Sequence, residues 1–362
     1  MNARIRMQPT EKAYVLGAGF SRAFGLPIVQ ELLGEVSQFC QEDGNGKRDR
    51  RLPGELQRFV ERFSPFSGRV AGYEPNAVDV FVALEAAADL KKTGAGLSSL
   101  EDIDPQEMLK RLRLTLYQVF HQKLAQASQA TDIAGSFFES LDSAGSPVFV
   151  SLNWDNFLER GLYNAEHKVF FFETDKEGPA TYVFKPHGSI DWLPFREGDR
   201  RTLDKYFPLS YPLWKHEEKR SASHWIRDWV DLSRLRSVEE PWKAWEAAQE
   251  DPRPAAIVTI GQGKAKTFSD QNKRIPRAWQ QAGRYLEQAK RIIVIGYSMP
   301  TDDVEVKLLL RGAIWRHEQL YGQPPSVKIV NPDKAAWERF REALSMDCEL
   351  DMRPFHPNVV IE

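Results

Sequence analysis

Apolar residues in this chain are grouped in two ways. Short, mostly apolar runs occur at Ala13–Leu16, Val148–Leu152, Ala255–Ile260, Arg291–Ile295 and Val327–Val330, with a further short one at Thr181–Lys185. Runs without alternation predict strands buried on both faces, as in a parallel sheet. Elsewhere apolar residues recur every three or four positions, which predicts amphipathic helices. This spacing covers Val29–Val36, the block from Leu52 to Leu141, Phe157–Leu162 and Val304–Arg316. A helix is also expected to begin near Phe20–Ser21 and to be interrupted at Gly25–Pro27, because proline and glycine disfavour a continuous helix. The charged stretch Gln41–Arg51 reads as a loop.

Strands alternating with helices predict an α/β fold, a Rossmann-like doubly wound parallel sheet with helical insertions. The pattern is expected to form one domain over residues 1–362. A helical insertion at 36–144 separates the first and second strands, and a Trp-rich, strongly charged helical insertion spans 199–250. Six of the ten Trp lie between Trp192 and Trp245, where core or interface contact is their ordinary role. No internal repeat and no low-complexity tract interrupts this organisation.

Composition narrows the function classes. The chain has 362 residues, 42% of them hydrophobic, enough for a sizeable core. Its formal net charge of -2 does not point to direct nucleic-acid binding, which favours a strongly basic face. Only two cysteines are present, Cys40 and Cys348, too few for a disulfide framework or a four-cysteine zinc site. No His/Asp/Glu cluster has metal-ligand spacing, so no metal is expected. The N-terminal residues carry no apolar signal-peptide core, and no apolar run has the length of a membrane span. A soluble, cytoplasmic protein is the expectation.

Ligands of open parallel sheets bind beyond the carboxyl ends of the strands. The turns after the predicted strands are Gly17-Ala18-Gly19-Phe20-Ser21, Asn153-Trp154-Asp155, Lys185-Pro186-His187-Gly188, Gly296-Tyr297-Ser298 and Asn331-Pro332-Asp333. Small, polar and ionisable residues are concentrated there. Gly17, Ala18 and Gly19 would let the backbone approach a phosphate, although Arg22 stands where a dinucleotide fingerprint has its third glycine. Gly296 and Ser298 could approach a second part of the same ligand, and Asn331 could bond a ribose or a base. Each of these is also explained by a plain turn or cap. Asp155 is well placed to cap the following helix, but Asn153 and Asp155 together, facing a glycine-lined cleft, favour chemistry. His187 carries an imidazole, which titrates near neutral pH and suits a general base.

The ordered set of turns resembles the sirtuin-like superfamily. Gly17-Ala18-Gly19-Phe20-Ser21 with Gly25-Leu26-Pro27 looks like its GAGxS and GxP opening. Leu152-Asn153-Trp154-Asp155 resembles its Asn-x-Asp motif, and His187-Gly188 its His-Gly motif. Gly296-Tyr297-Ser298 and Asn331 resemble its late NAD-binding turns. The likeness runs from about Ala13 to Asp333. It departs from protein-deacylating sirtuins in two respects. Ile28-Val29-Gln30 replaces their Asp-Phe-Arg, and the four-cysteine zinc module is missing. The chain looks instead like the zinc-less bacterial branch, including the run from Gly296 to Asp302.

That resemblance implies an NAD hydrolase of the antiphage-defence type, with NAD as substrate and no metal. Asn153 and Asp155 would hold the nicotinamide ribose and order the attacking water, and His187 would be the base. Gly17, Ala18, Gly19, Ser21, Gly296, Ser298 and Asn331 would bind the dinucleotide. NAD depletion by members of that branch stops the infected cell, often after a partner protein or phage component is sensed. A homo-oligomer and a separate regulatory or sensor protein are therefore the expected partners. Two other activities fit the same scaffold. One is an NAD-dependent deacylase or ADP-ribosyl transferase, and the other a non-catalytic sensor of NAD or an ADP-ribose-type ligand.

Overall fold

The computed structural model describes residues 10–42, 48–63, 75–94, 101–130, 136–141, 147–165, 167, 169–170, 181–189, 192–194, 229–231, 256–257, 274–301 and 303–358. In chain order its elements are β1 (Lys12–Leu16), α1 (Ala18–Arg22), α2 (Leu32–Gln41), α3 (Leu52–Phe63), α4 (Ala77–Lys92), α5 (Pro105–Ala130) and α6 (Ser136–Glu139). There follow β2 (Val148–Ser151), α7 (Phe157–Asn164), β3 (Val169–Phe170), β4 (Thr181–Phe184), β5 (Gly188–Ser189), β6 (Trp192–Pro194), β7 (Trp229–Asp231) and β8 (Ala256–Ile257). The last are α8 (Arg274–Leu286), β9 (Arg291–Ile295), α9 (Val304–Tyr321), β10 (Ser326–Val330), α10 (Lys334–Leu344) and β11 (Glu349–Asp351).

The chain divides into two compact units. The first comprises Met1–Ile28, Leu124–His187 and Arg274–Glu362, and it holds a seven-stranded sheet in the order β11-β10-β9-β1-β2-β4-β3. Every pairing in this sheet is parallel. The expected α/β, Rossmann-like doubly wound architecture is therefore present. From β1 the chain builds outward to β2, β3 and β4 on one side and later to β9, β10 and β11 on the other. The order reverses between β1 and β9, which makes that junction the switch point of the sheet.

Both faces of the sheet are covered, which is why its strands are apolar without alternation. On one face Ala13, Val15, Val150, Ile292, Val294 and Ile329 pack with Leu286 of α8, Leu310 of α9 and Phe340 of α10. On the other face Tyr14 stacks on Phe149 at 5.0 Å and meets Phe137 edge-on at 5.9 Å. Phe20, Phe24, Phe138, Phe157 and Phe355 extend this aromatic layer, with Phe24 and Phe157 rings 4.0 Å apart. The interruption expected at Gly25–Pro27 is real. Helix α1 stops at Arg22, Gly25 takes a left-handed φ of 84°, and helix resumes at Leu32.

The second unit comprises Val29–Lys123 and Gly188–Lys273. Its described helices include α2 to α4 and most of α5. Arg111 clamps this block, bonding Asp49 at 2.5 Å and Glu55 at 2.5 Å. One strand expectation needs correction. Of Ala255–Ile260, the described part is Ala256–Ile257, and it pairs antiparallel with Gly188–Ser189 instead of joining the parallel sheet. Apolar runs look alike in either pairing, so the pattern alone does not separate them. The Trp-rich stretch 199–250 lies outside the described residues except Trp229–Asp231, a short strand paired with Trp192–Pro194. Among the described residues, no helix is long and apolar enough to cross a membrane.

Candidate functional site

Five adjacent strands, β10, β9, β1, β2 and β4, end at one edge of the first unit's sheet, and the five candidate turns follow those ends. At the switch point the turns after β1 and β9 are in backbone contact. Gly17 N–H donates to Ile295 O and Gly19 N–H to Gly296 O, each at 2.9 Å. A Cβ on Gly17 would lie 2.5 Å from Tyr297 Cα, and one on Gly19 2.8 Å from Gly296 Cα. Gly296 has a left-handed φ of 63°, and a Cβ there would lie 2.3 Å from Phe20 N. These three glycines are therefore explained first by the approach of two turns to each other. Ala18 is half-buried beside them.

The turn after β2 is fastened to the turn after β1. The Asn153 amide donates to Gly17 O and to Ser21 Oγ, both at 2.9 Å. Ser21 also hydrogen-bonds the Asp155 carboxyl, which accepts from Phe157 N–H at 3.0 Å at the start of α7. Ser21, Asn153 and Asp155 thus form one buried network. Burial pushes the Asp155 carboxyl above its ordinary range, and the nearby Lys185 charge opposes that rise.

Lys185 itself is fully buried. Its Nζ lies 2.8 Å from Glu159 Oε1, with 0% and 1% of the two side chains exposed, and it also donates to the Asp155 carbonyl. Two residues on, His187 is 1% exposed. Its Nδ1 lies 3.3 Å from Leu152 O, and its Nε2 3.8 Å from Asp303 Oδ1. Asp303, at the start of α9, accepts from the Tyr297 hydroxyl at 2.5 Å. Trp279 of α8 lies beside the imidazole, ring centres 5.9 Å apart, and its indole donates to Pro186 O at 3.0 Å.

Two predicted binding residues have other duties. Asn331 donates to Tyr297 O at 3.1 Å and accepts from Asp333 N–H at 2.9 Å, so its amide shapes the turn after β10. Ser298 is exposed, and its carbonyl accepts from Arg339 at 2.8 Å. The structure adds Lys185, Glu159, Tyr297 and Asp303 to the site. Lys185 and Tyr297 stand inside the turns already singled out. A charged residue next to an apolar strand was the available signal for Lys185. Asp303 had no such signal, because it looks like an ordinary acidic N-cap of α9. Among the described residues, no group of three or more His, Cys, Asp or Glu side chains could hold a metal ion.

Compared with known proteins, the chain matches no protein family and no curated protein. Among solved structures it is similar to Sir2 in complex with the inhibitor EX-527, 2'-O-acetyl-ADP-ribose and deacetylated p53-peptide. The identity is 12% and the TM-score 0.34, over 95% of this chain and 88% of that one. A likeness at that level bears on neither chemistry nor ligand.

Proposed function

We propose that this chain hydrolyses NAD at the nicotinamide–ribose bond. The observation that carries the reading is the buried network of Ser21, Asn153 and Asp155 with His187 close by, all on the strand ends flanking the switch point. The motif order that resembles sirtuin-like proteins supports the same reading. In this reaction the glycosidic C–N bond breaks and nicotinamide leaves with the bonding pair. Water adds at the anomeric carbon and gives up one proton. The sugar passes through an oxocarbenium-like state, so the site must stabilise positive charge and place a water.

The residues suit both demands. Asp155, Glu159 and Asp303 are buried acids near these strand ends, and Lys185 is a buried lysine paired with Glu159. A carboxylate held close to the anomeric carbon would favour the developing cation, and low polarity strengthens the effect. Because both hydrogens of the Asn153 amide are used within the protein, its Oδ1 is what it offers a ligand. An acceptor there fits a ribose hydroxyl or the attacking water. A carbonyl can only accept, so the Leu152 contact places the His187 proton on Nδ1 and leaves Nε2 as the basic nitrogen. Gly17, Ala18, Gly19, Ser21, Gly296, Ser298 and Asn331 line the edge on which the dinucleotide would lie. Control by self-assembly or by a separate partner protein completes the proposal, with NAD depletion in antiphage defence as its setting.

The test is incubation of the purified protein with NAD, following nicotinamide and ADP-ribose by chromatography. Wild type releases both, and His187→Ala loses at least ~10²-fold in turnover, the contribution of a positioned base. NAD binding by titration with neither product released would make the protein an NAD sensor instead. Nicotinamide release that requires an acylated peptide would make it a deacylase.

A further inference from the structure

We propose that Asp303 is the positioning residue of His187, holding the ring and stabilising the imidazolium formed when Nε2 takes up a proton. The inference rests on the base role of His187 proposed above, but its structural half stands without it.

The geometry is specific to this turn. Asp303 is 0% exposed although it opens a helix, a place where an acid ordinarily faces water and caps the backbone. It makes no side-chain cap bond to α9. One carboxylate oxygen instead takes the Tyr297 hydroxyl at 2.5 Å, and the other faces His187 Nε2 at 3.8 Å. A buried carboxylate needs partners for its charge, and the Tyr297 hydroxyl and His187 are two that it faces. The chain reaches this arrangement through two left-handed residues, Gly296 at φ 63° and Met299 at φ 51°. A buried non-glycine residue in that region is sparsely populated, and such positions cluster at functional sites. Between them the buried Tyr297 ring packs near Phe340 and aims its hydroxyl at Asp303.

Charge points the same way. With Nδ1–H given to Leu152 O, neutral His187 turns a lone pair toward a carboxylate. Proton uptake at Nε2 replaces that repulsion with an attraction between opposite charges, inside a low-polarity interior. The groups facing the ring from other elements include Asp303, the Leu152 carbonyl and Trp279, while Tyr297 supports Asp303 from the turn before α9. The 3.8 Å separation exceeds a hydrogen bond. A hydroxyl oxygen about 2.8 Å from both atoms would close a triangle with them. A water or a ribose hydroxyl in that place would sit between base and carboxylate.

The experiment compares wild type with Asp303→Asn, which keeps the shape and an acceptor for Tyr297 but removes the charge. Histidine-labelled protein is read by ¹⁵N NMR, with His187→Gln assigning the signals, and NAD turnover is measured on the same samples. The expected result is a changed protonation pattern at His187 Nε2, with kcat about 10²-fold lower and KM within about threefold. Loss of that size follows when a catalytic group is misplaced or loses its orienting partner. Tyr297→Phe, which leaves the carboxylate but removes its support, shifts the same signals less and covers the case of an unstable Asp303→Asn. Unchanged His187 nitrogens in both variants overturn the proposal. Changed nitrogens in a protein that binds but does not cleave NAD uphold the pairing, and it is then the hydrolase reading that fails.

Discussion

The side-chain amide of Asn153 reaches from the end of β2 to the Ser21 hydroxyl, 2.9 Å away, and with its other hydrogen to Gly17 O. One residue therefore fastens the turn after the central strand while offering its remaining oxygen to a ligand. Asn153→Ala is expected to have two separable effects. It removes one of the bonds made by Gly17 O and one made by the Ser21 hydroxyl, which lowers stability by about 0.5–1.5 kcal/mol per bond. It also lowers NAD turnover by ~10² or more, the range for a lost positioning contact. Urea unfolding reads the first and nicotinamide release the second. Stability lost with normal turnover would restrict Asn153 to a structural role.

Asp155 should behave in the opposite sense. Burial raises its carboxyl above the unfolded value, so the folded protein binds a proton there more readily than the unfolded chain does. The stability this group contributes is full below the unfolded value and is lost as pH rises through the folded one. At neutral pH the unfolded chain's stronger tendency to ionise there thus weighs against the fold. Asp155→Asn is expected to raise the unfolding midpoint at pH 7 relative to wild type, with the difference shrinking as pH falls toward 4. Activity is expected to fall in the same variant. Equal midpoints at both pH values would show that the carboxylate has no such effect.

Two left-handed glycines separate conformational from steric cost. Gly25, φ 84°, has nothing within 4 Å of the place a Cβ would take, so Gly25→Ala should cost only the left-handed penalty, about 1–2 kcal/mol. Gly296 would carry the same penalty plus a clash with Phe20 N at 2.3 Å and Gly19 Cα at 2.6 Å. Overpacking adds about 1–3 kcal/mol more. Thermal unfolding of the two variants should rank them clearly, with Gly296→Ala the less stable and the site around it disturbed.

The Lys185–Glu159 pair is buried at both ends. Removing one partner, as in Lys185→Met or Glu159→Gln, leaves an uncompensated buried group and should destabilise by about 3–5 kcal/mol for the lysine deletion. Replacing both by apolar residues of similar volume should recover much of that loss. A double-mutant cycle in denaturant measures the coupling, and additive effects would show that the pair is not energetically joined.

Much of this was legible in the chain. The strands of the parallel sheet announce themselves as apolar runs because both faces are covered, and Arg291–Ile295 has the expected bounds. Two edge strands, β3 and β11, were not among the predicted runs. The described part of β3, Val169–Phe170, opens the apolar run Val169–Phe172, whereas β11 reads Glu349-Leu350-Asp351, with charge on either side of one apolar residue. At the site, Ser21, Asn153 and Asp155 were visible as polar residues following strands, and the structure joins them. What spacing could not convey is mutual engagement. Gly17 and Gly296 read as open ligand-facing turns, whereas each occupies the space that a side chain on the facing turn would need. Asp303 was hidden because its role depends on a left-handed turn at Met299, a conformation that methionine does not advertise.

The placement of β1 has a consequence for how the protein is made. Its neighbour β9 arrives late in the chain, and Glu11 and Lys290, an ion pair at the foot of that pairing, are 279 residues apart. At ~5–20 residues per second, the ribosome needs on the order of tens of seconds to span that gap. Until then the central strand has an open edge, and Gly17 and Gly19 lack the backbone against which they close. The edge that carries the candidate site therefore forms only once synthesis has passed β9, and a chain released before that point is born without it.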